Sequence, residues 1–308
     1  MSQDKRTVAA EARHAIVLGG SSVVGPFLLR RLAAAGFVGE ATGRGTTPGE
    51  LALPDAFAWR RLDPAAAGNW SAPAGSLVFC LLPLPALPPL LPALAEAAQV
   101  VALGTTSVYY KGESADAAER AFVDSVLAAE ESLRTACATS GSLWTLLRPT
   151  LVYAPGRDKN VSAIARVVRR FGVFPVAAPG RGLRQPIHAD EVAQAALAAI
   201  DNPAAAGRAF VIAGGETLSY RDMVTRVFRA LGRRPLVPAL PAGLLGFGLR
   251  LAGGLLGPRG KALYSPALFA RMNQDLTFDT AEARAALGIA PGPFRPDFDR
   301  PDAAPPSG

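Results

Sequence analysis

Apolar residues fall along this chain in short blocks separated by longer stretches of helical period. The block Ala15-Ile16-Val17-Leu18 is brief and β-branched enough for a buried strand. Similar blocks lie at 38–42, 58–62, 76–82, 100–103 and 143–147, and the unbroken run SLVFCLL at 76–82 has the character of a parallel strand covered on both faces. Helical periodicity occupies about 24–35 and 117–140, and the proline-rich run LPLPALPPLLPALAEAA is expected to enter a helix with its prolines in the first turn. Strands alternating with helices at these intervals predict an α/β fold, a doubly wound parallel sheet of Rossmann-like type. Beyond Pro149 the pattern loosens. Helices at 161–171, 189–200 (Asp190 as N-cap) and 220–231 (Ser219 as N-cap), with a strand at 210–213, predict a smaller C-terminal substrate lobe. The expected partition is a dinucleotide-binding core at 14–155, a mixed lobe at 156–290 whose chain returns to the core, and a disordered tail at 291–308, rich in Pro and Asp.

In such sheets ligands bind beyond the carboxyl ends of the strands, and candidate chemistry collects there. The first strand runs into Gly19, Gly20 and, after Ser22, Gly25, directly before a helix. Backbone N–H groups and the helix dipole at this junction suit a pyrophosphate, and glycine lets it approach closely. Ser22 stands where a middle glycine would be; its hydroxyl can donate to a phosphate, although its Cβ narrows the approach. Arg44 follows the second strand, where an acidic residue would hold a ribose 2′-hydroxyl and an arginine accommodates a 2′-phosphate. It therefore points to NADP, with NAD as the alternative. Asp63, after the third strand, either reaches an adenine amino group or caps the next turn. The candidate cofactor contacts are thus Gly19, Ser21, Ser22, Val23, Val24, Gly25, Arg44, Asp63, Leu81, Leu82, Pro83, Thr105 and Pro149.

Composition narrows the partners. The net charge of +7 on 308 residues admits an anionic ligand, but the arginines are scattered, with no basic run interleaved with aromatics, so nucleic acid is not expected. Cys80 and Cys137 lie far apart, which predicts neither disulfide framework nor metal site and suits a reducing cytoplasm. The polar N-terminus, with Asp4 and Glu11, is not expected to be a signal peptide. The most lipid-like stretch, 244–256, is shorter than a membrane span, contains Arg250 and lacks a basic partner face. It reads as a buried or groove-lining helix, and a membrane is not the expected partner.

Five motifs in order resemble the extended short-chain dehydrogenase/reductases, the epimerase/dehydratase group, over nearly the whole chain. They are the Gly-rich turn; Thr105-Thr106-Ser107-Val108-Tyr109; Leu147-Arg148-Pro149 with Val152-Tyr153; the run from Arg184 through His188-Ala189-Asp190 to Ala193; and Arg271 to Asp279 followed by Ala285-Ala286-Leu287-Gly288. The resemblance implies hydride transfer on a nucleotide sugar or similar diphosphate-bearing small molecule, and a homodimer. It also implies that Thr105 is the active-site hydroxyl, that Arg184 and Arg271 clamp the diphosphate, and that Tyr153 touches substrate. This chain departs from the group at its Tyr-x-x-x-Lys pair, which aligns with Phe122 and Val126. Phenylalanine has no proton to give and valine no charge to tune one. The chain thereby resembles the group's atypical branches. A proton relay must then come from other residues, of which Tyr110 and Lys111 join Thr105 as catalytic candidates. His188 is expected to be structural. The alternatives are a cofactor-binding sensor or assembly factor without turnover, and a reductase of a lipid-like ketone.

Overall fold

The computed structural model describes residues 13–46, 52–241, 243, 244, 246 and 266–299. Seven strands form one parallel sheet: β1 (His14–Leu18), β2 (Val38–Gly43), β3 (Phe57–Arg61), β4 (Leu77–Cys80), β5 (Gln99–Leu103), β6 (Leu143–Pro149) and β7 (Arg208–Ile212). Their order is β3-β2-β1-β4-β5-β6-β7, with every neighbouring pair parallel. The order reverses between β1 and β4, so a crevice opens beyond Leu18, which pairs with Thr42 on one side and Cys80 on the other. The doubly wound sheet expected from the apolar blocks is the one observed.

Helices cover both faces. On one lie α1 (Gly25–Ala34) and α4 (Ala189–Ala198), where Phe27, Leu28, Leu29 and Leu32 meet Val192, Ala195 and Ala196. The alanines of α4 let α1 come close, and each fully buried Leu or Phe contributes about 1.5–3 kcal/mol. On the other face α2 (Ala117–Ser140) sets Val126, Ala129 and Leu133 against Ile16, Val78 and Cys80. Its boundaries are those of the periodic pattern: Asp116 accepts the Ala118 N–H at its start, and Gly141, with φ +78°, takes the left-handed conformation at its end. Burial pushes the Cys80 thiol up to about 12 and that of Cys137 up to about 11.

A third cluster forms the core of the lobe. There α3 (Val161–Phe171) and α5 (Tyr220–Ala230) pack through Ile164, Val168, Val224, Val227 and Phe228. Helices α6 (Pro266–Arg271) and α7 (Ala281–Leu287) follow.

Four expectations change. The run after β4 forms 3-10 turns at Leu84–Ala86 and Pro88–Leu94 rather than an α-helix. Pro85, Pro88, Pro89 and Pro92 recur too closely for an i to i−4 ladder, since each lacks the N–H and crowds the preceding turn. Second, α4 is capped by His188, not Asp190: His188 Nδ1 accepts the Asp190 N–H (3.2 Å) and Glu191 accepts the His188 N–H (2.9 Å). The Asp190 carboxylate instead receives Arg31 in a two-pronged pair at 2.8 and 2.5 Å. Third, the expected disordered tail is packed as far as it is described: Phe294 is 1% exposed and Arg226 donates to its carbonyl (3.0 Å). Residues 300–308 lie outside the described residues, as does most of the expected helix at 244–256. Fourth, Tyr153 does not face a ligand. Its ring is 1% exposed, stacked edge-on with His188 (5.0 Å between centroids) and Phe294 (4.8 Å), and its hydroxyl accepts the Arg295 N–H. The apolar flank of a strand end draws an aromatic ring inward, and burial pushes the phenol's pKa up.

His188 therefore joins strand end, helix cap and tail in one aromatic knot, as a structural histidine. Burial lowers it from 6.5 to about 4, against the opposing pull of Asp190 and Asp158. A histidine held neutral stabilises the fold above its ordinary pKa, and that stability drains as pH falls from 6.5 towards 4. We expect a loss of about 3 kcal/mol across this window. In His188→Asn, which keeps a capping side chain, urea titrations at stepped pH should show that slope removed.

Candidate functional site

The crevice begins at the glycine turn. A Cβ on Gly25 would overlap the Gly20 carbonyl, and Gly19 holds φ +83° against Leu81 and Leu82. The Ser22 hydroxyl accepts the Gly25 N–H (3.1 Å), which leaves its own proton to donate. Among the described residues the N–H groups of Ser21, Val23 and Val24 donate to no protein acceptor, whereas those of Gly20 and Ser22 are taken by Thr42 and Gly19. Three amides and a hydroxyl proton at a helix N-terminus form a cradle for an anion, and a nicotinamide dinucleotide's pyrophosphate fits it. Arg44 is exposed at the end of β2; the neighbouring Arg61 donates to its carbonyl (3.1 Å). Asp63, one of the two readings left open, caps the turn at Pro64–Ala66 by accepting the Ala65 N–H. Leu81 is buried, Leu82 half-buried and Pro83 exposed at the end of β4.

Past the turn the crevice opens into a cavity of about 600 Å³ between the sheet's carboxyl edge and the lobe. Val23, Thr105 and Pro149 line its sheet side, and Arg184, Tyr220 and Arg271 its lobe side. Tyr110 and Lys111 lie on the wall between. The expected catalytic and diphosphate-binding residues are thus brought together; only Tyr153 stands apart.

The loop bearing Thr105 is anchored from below. Thr105 accepts the Ser107 N–H (3.1 Å), opening the 3-10 turn Thr106–Tyr109, and the Ser107 and Tyr110 hydroxyls lie 3.2 Å apart. Arg148, at the end of β6, forms a two-pronged pair with Glu130 of α2 and donates to the Tyr109 hydroxyl (2.8 Å). The Glu130 side chain is 1% exposed. The hydrogen bonds that Arg148 donates to the Glu130 carboxylate raise its pKa and outweigh burial, which opposes the charge. The Phe122 ring is on the outer side of α2, 40% exposed with the Lys111 ammonium 5.9 Å from its centre, and Val126 is sealed in the core; neither lines the cavity.

Both arginines expected to hold a diphosphate already have partners. Arg184 is 5% exposed and donates to the carbonyls of Leu183, Gln274 and Arg271. Burial pulls its pKa down. Arg271 grips both oxygens of Glu119 (2.8 and 2.9 Å), and Lys111 shares that carboxylate at 3.2 Å. Burial pushes the Glu119 carboxyl up, but Ser114, Lys111 and Arg271 together hold it below its ordinary value. Glu119 had no signal in the sequence beyond a place in the first turn of a helix; only the fold carries Arg271, which lines the cavity, to it. Gln185 was equally silent: its side chain accepts the Phe278 N–H (2.8 Å) and so joins the lobe to the segment after α6.

A parallel sheet with a glycine-turn anion cradle and a second lobe over its edge defines a Rossmann-type dinucleotide fold. Within it, residues 89–213 match the sequence model of the NAD dependent epimerase/dehydratase family, and over that segment the chain is related to that family. The UDP-glucose 4-epimerase of Vibrio cholerae is 27% identical over 124 residues, 40% of this chain and 38% of that protein, so the match spans under two fifths of that relative's length. In fold the chain is similar to an epimerase of Methanothermobacter thermautotrophicus (TM-score 0.69, 14% identity, 94% of this chain and 90% of that one). It is also similar to the UDP-glucose 4-epimerase of Thermotoga maritima with UDP-glucose (0.64, 14%, 90% and 93%). A third likeness is the UDP-glucuronic acid 4-epimerase of Bacillus cereus with UDP-glucuronic acid and NAD (0.65, 16%, 90% and 94%).

Two outcomes follow from this geometry. Gly25→Ala forces the helix away from the turn and should cost about 1–3 kcal/mol in urea denaturation while abolishing dinucleotide binding by tryptophan quenching. Glu119→Gln releases Lys111 and Arg271 from a competing anion; isothermal titration should show UDP binding tightened about three- to tenfold.

Proposed function

We propose that this chain binds a nicotinamide dinucleotide along the sheet edge and carries out reversible hydride transfer on a nucleotide sugar or similar diphosphate-bearing molecule seated in the cavity. The observation that carries this is shared lining: Val23 of the glycine turn borders the same cavity as Thr105, Tyr110, Lys111, Arg184 and Arg271. The relatives that bind NAD and UDP-sugars share the fold, which supports the same ligand classes here.

Gly19, Ser21, Ser22, Val23, Val24 and Gly25 would hold the pyrophosphate, with Leu81, Leu82 and Pro83 beside the ribose and Asp63 near the adenine. NADP is the form we propose, because Arg44 and Arg61 stand together where a 2′-phosphate would lie and no acidic residue occupies that strand end. When bound, the cofactor supplies a hydride acceptor and donor. The Thr105 hydroxyl hydrogen-bonds the substrate oxygen. Tyr110 exchanges the proton of the reacting hydroxyl, with the Ser107 hydroxyl 3.2 Å away as its relay partner, and Lys111 lines the same wall. Lys111 and Arg271 meet the substrate's diphosphate in exchange for Glu119, and Arg184 shapes the loop behind them.

A second reading, a cofactor-binding protein without turnover, draws on the Phe122 and Val126 replacements and on the engagement of both arginines. One experiment separates the two. Titration with NAD and NADP followed by tryptophan quenching, then chromatography of UDP-glucose and of UDP-glucuronic acid, each incubated alone, should give binding and conversion of each sugar to its 4-epimer. Tyr110→Phe should lower kcat by about 10²–10⁴ with cofactor affinity unchanged. Binding without any interconversion favours the sensor; no uptake of either dinucleotide overturns both.

A further inference from the structure

The chain's positive charge is not spread over the molecule. Residues 159–189 and 223–274 together hold fourteen arginines and lysines and no Asp or Glu, against +7 for the whole chain, so the remainder is net acidic. The described residues of both stretches belong to the lobe. Their described parts converge where α3 and α5 end. Arg233 donates to the Val168 carbonyl (2.9 Å) and the Phe174 N–H bonds to Leu236, so the two helix ends are stitched side by side.

At this junction Arg169, Arg170, Arg229, Arg233 and Arg234 are all exposed. Among them stand two large apolar side chains in water: Phe171, 53% exposed, and Leu236, 57% exposed. The Arg170 guanidinium lies 5.4 Å from the Phe171 ring centre, and that of Arg169 lies 5.1 Å from the ring of Phe298, whose neighbours Asp297 and Asp299 are acidic. Arginines at helix C-termini complement the dipole, and Arg233 does so directly. The dipole explains neither the number of cations nor the exposed apolar pair. Cations ringing exposed aromatic and aliphatic side chains are the make-up of a surface that settles on anionic lipid headgroups, the charges attracted by the phosphates and the apolar groups entering the interface.

We propose that this basic, apolar corner of the lobe docks the protein on an anionic membrane surface. The attachment is peripheral: among the described residues no helix is long and apolar enough to cross a membrane. Nucleic acid fits less well, since bases stack on several aromatics along a basic groove and here one phenylalanine and one leucine are exposed beside the two helix ends. The reading is independent of the catalytic one, because none of these residues lines the cavity.

The test is sedimentation of the full chain with phosphatidylcholine vesicles, with and without phosphatidylglycerol. We expect pelleting only with the anionic vesicles, and release by high salt. The pair Arg170→Gln with Arg234→Gln should weaken binding roughly tenfold or more, and Phe171→Ser with Leu236→Ser several-fold. All four positions are exposed, so unchanged thermal melts will show that both variants fold. Absence of pelleting with anionic vesicles overturns the proposal, as does pelleting that both variants leave untouched. Binding to a DNA duplex as tight as to vesicles, and indifferent to the apolar pair, replaces it with a polyanion surface.

Discussion

One buried ion pair, Arg148 to Glu130, sets the geometry on which the candidate site depends. It joins the end of β6 to the middle of α2 beside the turn Thr106–Tyr109 and extends through Arg148 to the Tyr109 hydroxyl. A buried pair is weak evidence for stability, since desolvation consumes much of the attraction between its members. Its value lies in direction. The guanidinium fork fixes how strand, helix and turn face one another, and thereby where Thr105 and Tyr110 enter the cavity. Gly104 completes the arrangement: a Cβ there would stand 3.2 Å from both the Arg148 side chain and a Glu130 oxygen.

At the cavity mouth the same physics operates with looser control. Glu119 occupies two cations that an anionic substrate would want, and it is half-buried rather than sealed. A diphosphate carries more charge than one carboxylate and could compete for both cations, while the pairing with Glu119 keeps Lys111 and Arg271 side by side. Arg184 is different. Its hydrogen bonds go to backbone carbonyls, which brace Leu183, Arg271 and Gln274 around it, and an arginine so used organises a loop. The two arginines that look equivalent along the chain therefore perform separate tasks.

Much of the architecture was legible from the order of residues. Apolar blocks four to seven residues long, glycine at the first turn, and the Asp116 and Gly141 boundaries of α2 are local signals, and local interactions realise them. Thr105 could be singled out because a strand end marks it before any contact is known; Arg184, Arg271, Tyr110 and Lys111 were candidates only through the family resemblance. The proline-rich run was misjudged on a matter equally local, the number of missing N–H groups per turn. Tyr153 was misjudged for a longer-range reason, its environment being made by Phe294 and His188; Asp190 lost the cap to His188 two residues before it, and its carboxylate is taken by Arg31 from far along the chain.

By itself, then, the sequence determined the strand and helix content, the sheet's class and the edge along which a ligand would lie, since periodicity and turn chemistry act over a few residues. Tertiary structure alone decided which charges face one another. It gave Arg271 to Glu119, turned Arg184 to the backbone, and gathered arginines from α3, α5 and the segment after α5 into one corner. Electrostatic partnership depends on distance in space, and separations of 152 residues, as between Glu119 and Arg271, leave no trace in local pattern.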